Sequence, residues 1–94
     1  MDFSVEYSRA NSQDDAFTKV QEKITPEYIA KFKVTAKIKC DRESGNIVAN
    51  GKGFTLTMDF LEDMIVVKLK LSLLLKPFRK TILSSIEEKV RRTV

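Results

Sequence analysis

Residues 51–90 read GKGFTLTMDFLEDMIVVKLKLSLLLKPFRKTILSSIEEKV, and the fold is decided inside this stretch. Phe54, Leu56, Met58 and Phe60 alternate with polar residues, and after Glu62-Asp63 the same period returns in Ile65, Val67, Leu69 and Leu71. A period of two places one set of side chains on each face of a strand. The spacing then changes to that of a helix, with Phe78, Ile82, Leu83, Ile86 and Val90 falling on one arc at 100° per residue. A hairpin whose second strand turns almost directly into a C-terminal helix follows, and the helix is expected to lie back across the sheet.

Working outward, Phe3, Val5 and Tyr7 alternate with Asp2, Ser4 and Glu6, which predicts a first strand. Ser12 followed by Asp15 marks a helix start, and Ala16, Phe17, Val20 and Ile24 continue at helical spacing. Thr25-Pro26-Glu27 fits a kink or a fresh helical turn that carries Tyr28 and Ile29. Phe32, Val34, Ala36, Ile38 and Cys40 alternate with lysines and a threonine, giving a second strand with Cys40 on its apolar side. Turns at Arg42–Asn46 and Asn50–Gly53 bracket a short third strand around Ile47–Ala49. The order is β-α-β-β-β-β-α: an α+β domain over residues 1–94 with an antiparallel sheet of about five strands, covered on one face by helices. The outward set is Lys33, Thr35, Lys37, Lys39, Thr55, Thr57, Asp59, Lys68 and Lys70, with Val66 an apolar exception on that face.

A chain of 94 residues, 43% hydrophobic, is long enough to bury a core without disulfides. The single Cys40 rules out an intrachain disulfide, which fits a reducing, cytoplasmic setting. The acidic, alternating start MDFSVEYS does not read as a targeting signal. The apolar run Leu73–Leu75 is far below the ~20 residues of a membrane span. Charge is uneven. Residues 1–31 carry four Lys/Arg against six Asp/Glu, whereas residues 72–94 carry six against two. A basic C-terminal third favours an anionic partner.

No residue pattern for catalysis, metal binding or cofactor binding is present, so a non-enzymatic protein without cofactor is expected. Histidine is absent, which removes the commonest general base and metal ligand. Asp14-Asp15, Glu62-Asp63 and Glu87-Glu88 are sequence neighbours with local helix or turn roles, not carboxylates converging on one cleft. Gly51-Lys52-Gly53 leads into a strand and lacks phosphate-loop spacing, so a turn or bulge is the reading. The lysine-rich sheet face is electrostatically suited to nucleic acid, but the strand Phe residues sit on the opposite face and offer no stacking platform. Arg79 falls inside the apolar arc of the last helix, where it either snorkels past the sheet edge or marks a place that protein does not close.

Gly51-Lys52-Gly53-Phe54, the Ile65–Leu71 alternation and Leu73-Leu74-Leu75-Lys76-Pro77-Phe78-Arg79-Lys80, running on to Ile82, Ile86 and Val90, resemble the polyhydroxyalkanoic acid system family. Asp14-Asp15-Ala16 resembles the acidic helix start of its members. The chain departs from that pattern in having Ser8-Arg9-Ala10-Asn11 where a histidine is expected, and in lacking tryptophan. The resemblance implies a small bacterial, non-enzymatic cytoplasmic protein associated with polyester storage granules or their metabolism, with no catalytic residues to transfer.

Three readings follow. The first is an interaction protein that meets a granule surface or a protein partner through Leu73, Leu74, Lys76, Arg79 and Lys80. The second is a small apolar-ligand carrier of reduced helix-grip form, with a pocket lined by Phe54, Leu56, Met58, Val67, Leu69, Ile82 and Ile86. The third, compatible with either, is a homodimer formed through a sheet edge or an apolar strip around Val66, Leu73 and Leu74.

Overall fold

A computed structural model describes residues 1–94. Strand β1 (Phe3–Glu6) leads to helix α1 (Gln13–Lys23) and the single-turn α2 (Pro26–Ile29). A 3-10 turn over Ala30–Phe32 then precedes β2 (Ala36–Asp41), β3 (Asn46–Gly51), β4 (Phe54–Phe60) and β5 (Met64–Leu71). A second 3-10 turn, Lys76–Phe78, opens α3 (Arg79–Thr93). This is the expected α+β arrangement, and every sheet neighbour is antiparallel.

The sheet order is β1-β5-β4-β3-β2. Strands β2 to β5 form a meander through short turns, and β1 joins the free side of β5, pairing Phe3 with Val67 and Val5 with Ile65. The edges are therefore β1 and β2. Each turn has a local cause. Gly51 pairs with Phe54, so Lys52-Gly53 is a two-residue connection, and Gly53 takes φ +73°, open at little cost only to glycine. At the β2–β3 turn Gly45 takes φ +68°, and the Asp41 carboxylate accepts from the Ser44 N–H at 3.2 Å.

Helix starts follow their signals. The Ser12 hydroxyl accepts from the Asp15 N–H at 3.0 Å, while the Asp15 carboxylate accepts from the Asn11 N–H at 2.9 Å. Two otherwise unpaired donors are thereby satisfied. Thr25 caps α2 in the same way, accepting from the Tyr28 N–H at 3.1 Å, with Pro26 preset in the first turn. α1 buries Ala16, Phe17 and Val20, and α3 buries Ile82, Ile86 and Val90. These meet the inward set of the sheet in one cluster of 22 buried hydrophobic residues. The Val94 main-chain oxygen accepts the N–H groups of Ser8, Arg9 and Ala10 at 2.6, 2.6 and 2.9 Å, which ties the end of α3 to the loop after β1.

Three expectations are corrected. Residues 32–35 are not strand: Phe32 closes the 3-10 turn, Lys33 takes φ +64°, and β2 begins at Ala36. Phe32 instead packs edge-on against Tyr28, ring centroids 5.5 Å apart, so its apolar spacing reports helix-side packing. Cys40 is exposed although it falls on the apolar register, because β2 is an edge strand whose distal half, Lys39 to Asp41, is exposed throughout. Partial burial still raises its thiol pKa, with Arg42 acting in the opposite direction. Phe78 precedes α3 and is 57% exposed, because the Pro77 turn breaks the helical phase on which its place in the apolar arc depended.

Candidate functional site

Between β5 and α3 the chain runs Ser72-Leu73-Leu74-Leu75-Lys76-Pro77-Phe78. The Ser72 N–H donates to the Gly53 carbonyl at 2.9 Å, which pins the segment to the β3–β4 turn. The Ser72 carbonyl then accepts the N–H groups of Leu75 and Lys76, each at 3.0 Å, and the Leu75 carbonyl accepts that of Phe78 at 2.9 Å. The backbone is thus hydrogen-bonded on both sides of Leu73 and Leu74. Of its large side chains only Leu75 packs against the core. Leu73 is 81% and Leu74 86% exposed.

Charge surrounds the apolar tip. No Asp or Glu occurs between Asp63 and Glu87, while Lys68, Lys70, Lys76, Arg79 and Lys80 do. Lys76 and Lys80 are exposed beside the leucines, as is Lys52 on the adjoining turn. Across the start of α3 an open cleft of about 260 Å³ lies between two chain segments. Lys31, Phe32 and Lys33 form one wall, and Leu75, Phe78, Thr81 and Ile82 the other. Its surface is mostly apolar with two ammonium groups at the edge.

Arg79 behaves differently from the two lysines. One guanidinium nitrogen donates to the Leu69 carbonyl at 2.9 Å and another pairs with the Asp2 carboxylate. The other Asp2 oxygen accepts the Leu69 N–H at 2.6 Å. Asp2 therefore clasps the end of β5 to the start of α3. Burial of Asp2 acts to raise its pKa, but the Leu69 N–H and the Arg79 guanidinium outweigh it and hold the carboxyl below its ordinary range. Arg79 is committed to the fold and less available to a partner than Lys76 or Lys80.

Of the residues expected at a contact surface, Leu73, Leu74, Lys76 and Lys80 come together on one tip, and Arg79 turns inward at its root. The residues expected to line an internal pocket, Phe54, Leu56, Met58, Val67, Leu69, Ile82 and Ile86, are all core side chains exposed by 3% or less. Of the seven, only Ile82 borders the apolar cleft. Val66 does not join Leu73 and Leu74 in one strip, since it stands between Ser4 and Asp59 in the middle of the sheet. Lys31, Phe32 and Lys33 were missed as site residues. They lie forty or more positions from the tip in sequence, and no local pattern announces that a 3-10 turn brings them to α3.

A family model described as "Putative polyhydroxyalkanoic acid system protein" matches residues 4–94. That is nearly the whole chain, and the chain belongs to this family. The resemblance carried by the Gly51–Phe54, Ile65–Leu71 and Leu73–Lys80 segments is borne out. Comparison with curated proteins and with solved structures gives no match.

Proposed function

We propose that this member of the polyhydroxyalkanoic acid system family is a non-catalytic, cytoplasmic surface-binding protein that seats its Leu73–Lys80 tip on a polyester storage granule. The observation that carries the reading is the pairing of a pinned turn with outward leucines: Leu73 and Leu74 stand out from a turn tied down by backbone bonds at Ser72, Leu75 and Lys76, with Lys76 and Lys80 close in sequence. Burying a leucine or phenylalanine side chain contributes roughly 1.5–3 kcal/mol. Lysines near an anionic surface add about 1 kcal/mol each at physiological ionic strength. Leu73, Leu74 and Phe78 with the neighbouring lysines thus supply enough free energy for reversible attachment, without a membrane-crossing segment. No helix is long and apolar enough to cross a membrane.

The test is cosedimentation of purified protein with amorphous polyhydroxybutyrate particles and with vesicles of phosphatidylcholine and phosphatidylserine. Binding to the particles that weakens in Leu74→Asp and in the double variant Lys76→Glu/Lys80→Glu supports the reading. Binding to neither surface by the folded wild type refutes it. Capture of a protein partner through the same residues, without particle binding, would reassign the tip to protein recognition.

A further inference from the structure

At the far end of α3 from the leucine tip, a second cleft of about 430 Å³ opens between α1 and α3. Arg9, Lys19, Lys23, Lys89 and Arg92 converge on it, with Glu22 its one carboxylate, Thr93 its one neutral side chain and no hydrophobic residue in its lining. From these we infer a binding site for a compact polyanion, of the class of two or three linked phosphates. The inference is independent of the granule reading, because it rests on a different end of the molecule.

The first support is the pairing pattern of the arginines. The chain has five, and Arg42, Arg79, Arg91 and Arg92 each form an ion pair, with Asp14, Asp2, Glu87 and Glu88 respectively. Arg9 alone has no carboxylate partner. Its backbone is nevertheless fixed, since its N–H donates to the Val94 main-chain oxygen at 2.6 Å. Lys19, Lys23 and Lys89 form no ion pair either, although Glu22 lies in the same cleft. Four unpaired cations are therefore brought together by three separate elements.

Helix-end electrostatics explains part of this. Lys23 and Arg92 sit in the last turns of their helices, where the macrodipole favours a cation. It does not explain Arg9 in a loop, or Lys19 in the body of α1. Lys89 is further fixed by a cation–π contact, its Nζ 5.6 Å from the Tyr28 ring centroid. Like charges gathered in one concavity repel, and an anion with several closely spaced charges relieves that repulsion. The volume lies within the ~300–1,000 Å³ range of small-ligand sites. With no aromatic side chain in the lining to stack a base, recognition falls on phosphates, not on a nucleoside. The outward sheet lysines, Lys37, Lys39, Lys68 and Lys70, face away from this helix layer, so one extended nucleic acid strand does not reach both sets.

The experiment is a titration of the full chain with inorganic tripolyphosphate, followed by amide NMR and by calorimetry, with orthophosphate and a DNA 20-mer as comparators. The expected result is shifts confined to residues around Arg9, Lys19 and Lys89, with affinity at least tenfold tighter for tripolyphosphate than for orthophosphate and falling with added salt. The variants Arg9→Gln and Lys19→Gln/Lys89→Gln, which keep the side chains polar and of similar length, are expected to lose binding tenfold or more. Leu74→Asp is expected to bind tripolyphosphate as the wild type does. An absence of shifts at millimolar tripolyphosphate overturns the proposal. So does equal weakening by Lys37→Gln/Lys39→Gln, which would mean diffuse attraction, or DNA binding tighter than tripolyphosphate binding.

Discussion

Exchange of Leu74 for Asp separates surface attachment from folding, because the side chain holds nothing together. It is 86% exposed and the turn beneath it is secured by backbone bonds from Ser72, Leu75 and Lys76. Stability is therefore expected to stay within ~0.5 kcal/mol of wild type, as for surface positions generally. Surface affinity is different. Burial of a leucine side chain contributes about 2 kcal/mol, which alone is a factor of about 30. A carboxylate brought against an anionic surface adds roughly 1 kcal/mol of opposing energy. A total near 3 kcal/mol predicts a loss of about 150-fold in the affinity for polyhydroxybutyrate particles or anionic vesicles, read by cosedimentation over a range of particle concentrations. Leu73→Asp should match it, and Lys80→Glu should lose less, with a loss that shrinks as salt is added. Particle affinity within threefold of wild type, in a Leu74→Asp protein with unchanged thermal unfolding, would refute the argument that the tip is the attachment point.

Ile86→Ala removes a fully buried side chain from the middle of α3 and is expected to cost about 2–5 kcal/mol, measured by urea unfolding. Gly53→Ala places a side chain at φ +73°, with its Cβ 2.6 Å from Ser72 Oγ, and a loss of about 1–2 kcal/mol in the same assay is expected. The Asp2 carboxyl is depressed in the folded state, so its contribution is fully present above its unfolded pKa of roughly 4 and is lost as pH falls through the lower folded value. The stability gap between wild type and Asp2→Asn should accordingly close in acid, read as urea midpoints from pH 7 downward. Burial, with a smaller part from Asp63, pushes the Tyr7 phenol up to about 12. Its hydroxyl donates to the Leu61 carbonyl at 2.7 Å. The stability it contributes is complete below pH ~10 and lost as pH rises through the folded value, and the phenolate absorbance of wild type minus Tyr7→Phe should titrate there.

Much of the architecture is legible along the chain because β4 and β5 are covered on one face and open on the other. Phe54–Phe60 is buried and half-buried by strict turns, so alternation in sequence maps directly onto position. The reading fails where a period outlasts the structure that produces it. Phe32 and Val34 continue the alternation of β2 backwards, yet a left-handed Lys33 stands between them and ends a 3-10 turn. Phe78 continues the arc of α3 backwards, yet Pro77 resets the phase. Cys40 continues an inward register past the point where helices cover the sheet. Leu73, Leu74, Lys76 and Lys80 could be grouped from the sequence because they fall within eight positions of the chain and belong to no strand period. The cation cleft was not, because Arg9, Lys19 and Lys89 meet only after α1 packs against α3, and no spacing within one segment encodes that meeting.

The place of β1 at the outer side of β5 also governs the order in which the molecule assembles. Strands β2 to β5 need only short loops to close, so their pairing is local and fast. β1 finds its partner across almost the whole chain, Phe3 against Val67, and must bring its ends together over a long loop. It has only four residues with which to offset that entropy. The meander is therefore the early structure and β1 docks late, together with the α3 end that the Ser8–Ala10 N–H groups hold. By the same reasoning β1 is the first element to leave when the protein opens below the level of global unfolding. Hydrogen exchange at Val5 and at its partners on β5 should then outpace exchange in β4, and each such opening replaces the four-residue edge β1 by the longer edge β5, bared along Ile65 and Val67, where another extended chain can pair.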